Sequence, residues 1–325
     1  MNLVDKSLQH VVKRSTKSTL EHPYFSNLMM LAGSTAALQV RQVEKIHELS
    51  DVEFKVFSQW GEDGIIEWLV HKNGPMPESF VEFGVEDYRE ANTRFLLTTR
   101  NWVGLIIDGS QENIRIAKSD AISWKHDLTA LASFVTAENI NSLIESSGLS
   151  GDIGILSVDI DGNDYWLWKA ITCVNPQIVI VEYNSAFGDI HAVSVPYTPN
   201  FVRSQAHYSN LYWGASIEAF RHLADERGYS LLGSNRAGSN AFFVRNDCLP
   251  RFADRIVDKQ ARPHRFREGR TETGQLSMVT GRDRSTVIQN EPVVDVRTGK
   301  TAPLSEFGEL YSDRWSAMLK GSIVG

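Results

Sequence analysis

The sequence has little cysteine, no long apolar run and no surplus of positive charge, and each absence removes a class of function. Two cysteines in 325 residues, Cys173 and Cys248, are too few for a disulfide framework. They read as buried or idle thiols of a reducing cytoplasm, which is the expected location. The best apolar stretch, 28–40, falls short of a bilayer span and is broken by Gly33, Ser34 and Thr35. No integral membrane association is expected. Lys13, Arg14 and Lys17 are not followed by an apolar core and a small-residue cleavage site, so a signal peptide is not expected either. Residues 6–17 read as a solvated helix face. With 33 Lys and Arg against 40 Asp and Glu, the formal charge is -7, so there is no global basic field for nucleic acid. The chain has no internal repeat, no low-complexity tract, and no Ser/His/Asp, Cys/His or zinc-type spacing.

What is present is alternation. Short apolar runs at 79–85, 102–107, 128–135, 153–160 and 177–183 read as strands. Between them 90–100, 111–119, 136–147 (with Thr136 as N-cap) and 165–174 read as helices, after a first one at 64–71. The run at 177–183 is almost wholly apolar and β-branched, as a strand covered on both faces should be. Strand–helix alternation argues for an α/β fold with a doubly wound, mostly parallel, Rossmann-like sheet. A helix at 215–227 and strands at 229–234 and 240–245 then give an antiparallel closing pair. Residues 1–55 read as a helical N-terminal arm or cap, and 56–248 as the Rossmann-like domain with a substrate loop at 185–212. Residues 249–325 read as an accessory or oligomerisation region, with a hairpin at 292–303. Trp166 and Trp168 read as helix core.

The chemistry begins at Glu82-Phe83-Gly84, an acid and a glycine at a strand end. Glycine there lets the backbone approach a ligand closely, and open parallel sheets bind ligands beyond their carboxyl ends. Asp108 ends the next strand, where an acid accepts hydrogen bonds from ribose hydroxyls. Together they favour a nucleoside cofactor. A dinucleotide site wants G-x-G-x-x-G. Here Val85, Glu86, Asp87 and Tyr88 follow Gly84. Carboxylates there oppose a pyrophosphate and suit the sulfonium and ammonium of S-adenosylmethionine.

At this point the sequence resembles a known family, the FkbM-type methyltransferases. The matching segments are 58–64 (Ser-Gln-Trp-Gly-Glu-Asp-Gly), 80–85, Asn92-Thr93-Arg94, 102–110, 156–162 (Leu-Ser-Val-Asp-Ile-Asp-Gly), 179–184 and 238–244. They span roughly 55–246. The resemblance implies a class I methyltransferase-type sheet and S-adenosylmethionine-dependent O-methylation of sugars or other small hydroxylated molecules, a nucleotide sugar included. It makes Gln59, Glu82, Gly84, Asn92, Asp108, Gly109, Ser110 and Asp159 the expected cofactor residues. The segment 58–64 also reads as a turn that caps the following helix.

A further constellation is acidic: Asp159, Asp161 and Asp164 after one strand, Glu182 and Asn184 after the next. Oxygen donors of this kind suit Mg²⁺. The arrangement is similar to metal-dependent O-methyltransferases of the catechol and macrolide-sugar kind, which makes Asp161, Glu182 and Asn184 the expected metal ligands. A metal there would lower the pKa of a bound hydroxyl. The Lys or His that such enzymes place three residues after the first acid is absent. The competing view is that Asp161-Gly162-Asn163-Asp164 is a turn and N-cap. For a general base the candidates are His191, His207 and Lys125, with His207 preferred and Asp161 beside it as a catalytic acid group. The alternatives are an NAD-dependent oxidoreductase and a non-catalytic scaffold on the same architecture.

Overall fold

The structure is a computed structural model that describes residues 23–320. The helix face expected at 6–17 lies outside the described residues. As far as residue 245 the chain forms strands β1 (Ser79–Phe83), β2 (Val103–Asp108), β3 (Leu128–Ala132), β4 (Gly151–Val158), β5 (Val174–Glu182), β6 (Val193–Ser194), β7 (Tyr229–Ser234) and β8 (Asn240–Arg245). All but β6 make one sheet in the order β3-β2-β1-β4-β5-β8-β7. The five strands from β3 to β5 are parallel, and β8 and β7 close the sheet antiparallel. This is the expected Rossmann-like, mostly parallel sheet, closing antiparallel pair included. β9 (Pro292–Asp295) and β10 (Thr301–Pro303) form the expected hairpin and join β6 in a small second sheet.

Side chains alternate across a strand, and here the alternation builds two cores. In β5, Val179 and Val181 enter one core, Ile178 and Ile180 the other. In β1, Val81 and Phe83 are divided from Phe80 in the same way. Both faces are covered, which is why these strands read as continuous apolar runs. The helices of seven residues or more are α1 (Pro23–Gln42), α2 (Glu62–Asn73), α3 (Arg94–Arg100), α4 (Gln111–Ser119), α5 (Ile140–Ser146), α6 (Asp164–Ala170), α7 (Ile217–Arg227) and α8 (Asp313–Lys320).

Three helices are shorter than the sequence suggested, each for a local reason. The helix expected over 90–100 starts only at Arg94, because the Asn92 and Thr93 N–H groups serve the Glu82 carboxylate instead. The one expected from 136 starts at Ile140; the Asn139 side chain takes the Thr136 N–H and holds a turn. The one expected over 165–174 ends at Ala170, and Val174 already belongs to β5.

The expected boundaries at 55 and 248 do not separate cores. Ile46, Leu49 and Val52 are buried beside Trp68, Phe252 and Ile256. Ile288, Val293, Leu304 and Trp315 are buried in the other core. At roughly 1.5–3 kcal/mol for each large apolar side chain fully buried, these four anchor 249–320 on the sheet's helix layer.

Candidate active site

Beyond the carboxyl ends of the parallel strands lies a cavity of about 490 Å³. Its walls come from the ends of β1, β2, β4 and β5, from the start of β8, and from loops at 59–60, 134–135, 201–203 and 266–268. This is where an open parallel sheet binds its ligand.

The β1–β2–β3 half is built by carboxylates that collect main-chain N–H groups. Asp108 Oδ2 accepts the Glu86 N–H at 2.9 Å; Oδ1 accepts the Ser110 N–H at 2.8 Å and the Asn113 amide at 3.2 Å. Asp108, Gly109, Phe134 and Val135 line this end of the cavity, and Phe134 is half exposed there. Glu82 is buried. Its Oε1 accepts the Asn92 N–H at 2.8 Å, and its Oε2 accepts the Thr93 N–H at 3.1 Å and the Thr93 hydroxyl. Burial pushes the Glu82 carboxyl up from its ordinary pKa, against the Thr93 and Asn92 hydrogen bonds. Asn92 also donates to Ser157 Oγ at 3.1 Å, tying the turn to β4.

The β4–β5–β8 half is different. Asp159 and Glu182 follow paired positions of β4 and β5, and both line the cavity. Burial, then the neighbouring carboxyl charges, raises both pKa values well above the ordinary range. The two side chains are close enough to share a proton. Arg203 reaches in from the 185–212 segment over the Trp213 ring, 4.5 Å from its centroid. Its guanidinium meets Asp161 Oδ1 and Glu268 Oε2, each at 2.5 Å. Trp60 stacks on Phe266 with centroids 5.3 Å apart, and Phe266 stacks on the buried His264 ring at 4.6 Å.

The 58–64 segment explains how Trp60 is aimed. Asp63 Oδ2 accepts the N–H groups of Val56, Phe57 and Ser58. Glu62 Oε2 accepts those of Trp60 and Gly61, while Oε1 takes the Asn235 and Asn240 amides of the β7–β8 hairpin. The segment is therefore a clamp between α2 and the hairpin, with exposed Gln59 and Trp60 left over to line the cavity.

Several expected roles are corrected. Gly84 has φ +71°, and a Cβ there would lie 1.5 Å from the Asp159 carbonyl oxygen. The close approach it permits is therefore to β4's end, not only to a ligand. Ser110 caps α4, accepting the Asn113 N–H at 3.2 Å, and does not line the cavity. Asn184 is not free for a metal. Its Nδ2 donates to the Leu211 and Trp213 carbonyls and its Oδ1 accepts the Ala186 N–H. Asp161 has a positive φ and carries Arg203. Asp164 accepts the Ile160 and Gly162 N–H groups, so it holds the turn as that view has it, but the N-cap residue Asn163 makes no side-chain cap to α6; burial pushes the Asp164 carboxyl up to about 6. The donor set read for Mg²⁺ thus does not fit: one ligand is spent on backbone and another on a guanidinium. Among the described residues, the acid and histidine group that meets metal-like spacing is His47, Glu48 and Asp258, away from the cavity.

No histidine lines the cavity among the described residues. His207 Nδ1 lies 2.7 Å from Ser209 Oγ and accepts the Ser209 N–H, while Nε2 faces Glu291 at 3.9 Å. It orders its own loop and is not placed as a base. His191 contacts the Glu309 carbonyl at 3.0 Å, and Lys125 lies over the Trp124 ring. Neither lines the cavity. Sequence reasoning missed Arg203, Glu268, Phe266, Asn163 and Asn240. Arg203 and Glu268 are 65 residues apart, and no spacing rule connects them.

No family model matches the chain, and no curated protein matches it. Among solved structures it is similar to an O-methyltransferase from Bacillus cereus in complex with SAH (S-adenosylhomocysteine), at 15% identity and TM-score 0.38, over 65% of this chain and 89% of that one. It is likewise similar to an S-adenosylmethionine-dependent methyltransferase from Clostridium acetobutylicum, at 12% identity and TM-score 0.36, over 57% of this chain and 90% of that one.

Proposed function

We propose that the chain is an S-adenosylmethionine-dependent O-methyltransferase acting on a hydroxyl of a sugar or sugar-derived small molecule. One observation carries this: the cavity at the strand ends is lined by eight carboxylates and a single guanidinium, Arg203. That field favours a sulfonium with its ammonium and opposes a pyrophosphate, which speaks against the NAD-dependent alternative. A scaffold has no need of a buried acidic pocket.

In this reading the ribose hydroxyls donate to Asp108, and the adenine lies against Phe134 and Val135. The methionine end occupies the space above Gly84, within reach of Glu82, Asn92 and Asp159. The acceptor comes from the Trp60, Phe266 and Arg203 side. The methyl group passes in line from sulfur to the acceptor oxygen, so the protein's work is alignment and exclusion of water. The acceptor's proton goes to the Asp159–Glu182 pair, whose burial and mutual repulsion raise its pKa and make it a stronger base than an ordinary carboxylate. The Mg²⁺ role is not part of the reading, for the reasons of donor geometry above.

Calorimetric titration with S-adenosylmethionine, S-adenosylhomocysteine and NAD tests it. Binding of both adenosyl ligands without NAD binding is expected. Absence of heat with either adenosyl ligand overturns it, and so does tighter binding of NAD.

A further inference from the structure

The two halves of the cavity differ in how well their polar groups are satisfied. In the β1–β2–β3 half, both oxygens of Glu82 and of Asp108 accept hydrogen bonds from the protein. In the β4–β5–β8 half, four lining residues keep a buried oxygen with no hydrogen-bond donor: Asn163 Oδ1, Glu182 Oε2, Asn240 Oδ1 and Glu268 Oε1, the last 3.9 Å from His264 Nδ1. Asn163 is 2% exposed, Asn240 4% and Glu182 8%, so solvent does not serve them. The two amide orientations are fixed, because Asn163 Nδ2 donates to the Thr198 carbonyl and Asn240 Nδ2 to Glu62. All four are acceptors. Buried polar groups are rarely left so, and each such group calls for a donor.

Charge points the same way. This half holds four carboxylates, Asp159, Asp161, Glu182 and Glu268, against one guanidinium. Arg203 already spends its charge on Asp161 and Glu268. Even with a proton shared between Asp159 and Glu182, negative charge remains in excess. The exposed face of Trp60, backed by Phe266, adds an aromatic surface that suits either the C–H face of a pyranose or an ammonium.

We infer that the acceptor is a polyhydroxylated molecule carrying a protonated amine and no phosphate or carboxylate, an amino sugar or aminocyclitol, with its donors on Asn163, Glu182, Asn240 and Glu268. This rests on the methyltransferase reading and narrows its acceptor. It excludes a nucleotide sugar, whose diphosphate would enter a field already negative. The amine takes no part in the transfer: the new bond is from methyl carbon to acceptor oxygen, the broken bond is from sulfur to methyl carbon, and the hydroxyl proton goes to the carboxyl pair.

The experiment uses the full chain and matched sets of acceptors. Each set contains a neutral polyol, its amino counterpart, the N-acetylated amine and the nucleoside diphosphate ester, for example glucose, glucosamine, N-acetylglucosamine and UDP-glucosamine. Binding is read by calorimetry with and without S-adenosylhomocysteine, and transfer with donor labelled in the methyl group. The amino member of each set is expected to bind at least tenfold more tightly than the neutral and acetylated members, and the diphosphate ester not at all. In Glu268→Gln that advantage should shrink several-fold, read as a KM that rises more for the amino member than for the neutral member of the same set. An equal response to amino and neutral members overturns the inference, as does no response to any amine or preferential methylation of the diphosphate ester. Loss of S-adenosylhomocysteine binding in the wild type is a separate result and overturns the methyltransferase reading itself.

Discussion

Asp108→Asn is the sharpest single perturbation of the cofactor half. The side chain keeps its shape and loses its charge and one acceptor oxygen. Asp108 accepts from three N–H groups, through Oδ2 from Glu86 and through Oδ1 from Ser110 and Asn113. No orientation of an asparagine satisfies all three, since its NH₂ must face either the Glu86 or the Ser110 N–H. One unmade hydrogen bond costs about 1–3 kcal/mol, which lowers the melting temperature by a few degrees in a chain of this size. The ligand loses more specifically. Hydrogen bonds to a charged partner contribute about 1.5–3 kcal/mol, and about 1.4 kcal/mol is a factor of ten. The affinity for S-adenosylhomocysteine should therefore fall roughly 10–150-fold by that conversion. Calorimetry measures it, with a second titration using an analogue that lacks the ribose hydroxyls. For the analogue the variant and wild type should bind alike. If the variant binds S-adenosylhomocysteine within threefold of wild type, Asp108 does not hold a ribose and the assignment of this half fails.

Three further outcomes are expected. Gly84→Ala combines a positive φ with a Cβ 1.5 Å from the Asp159 carbonyl oxygen, a backbone atom that cannot step aside. It should cost more than the ~1–2 kcal/mol of the left-handed conformation alone, read as a lower urea midpoint; an unchanged midpoint refutes the close packing. His207→Asn should keep methyl transfer within threefold, because His207 does not line the cavity; a hundredfold loss of kcat restores it as the base. The affinity for S-adenosylmethionine should fall as pH falls, since Asp159 and Glu182 have raised pKa values and a protonated carboxyl no longer attracts a cation. Binding should then release protons, seen as a buffer-dependent enthalpy, and an affinity that does not change with pH above the ordinary carboxylate range would falsify the role of the pair.

Much of the fold was legible because its signals are local. The apolar runs of β1, β2, β4 and β5 are long enough to need two covered faces, and the Gly84 turn and Asp108 mark strand ends on their own. The helix starts at 90 and 136 were not legible, because side chains from elsewhere compete for the same N–H groups. Glu82 captures those of Asn92 and Thr93 from the end of β1. The metal set failed for a related reason. The residue types Asp161, Glu182 and Asn184 suited a cation, but sequence does not reveal that Leu211, Trp213 and Ala186 occupy the Asn184 amide. Arg203 was hidden altogether, a lone basic residue in an irregular segment whose partners come from β4's end and from beyond residue 248.

The division of the cavity between satisfied and unsatisfied polar groups has an energetic meaning. The cofactor half is finished by main-chain N–H groups on Asp108 and Glu82, so it stands ready without ligand and needs little rearrangement on binding. The acceptor half is finished only when a donor-rich molecule enters. Each buried oxygen left without a donor costs about 1–3 kcal/mol in the free protein, and Asn163, Glu182, Asn240 and Glu268 each keep one. A ligand that meets those oxygens removes the cost on binding, whereas an apolar molecule of the same shape would not. Selectivity for hydroxyl and ammonium donors therefore follows from the stability the free protein gives up in this half of the cavity.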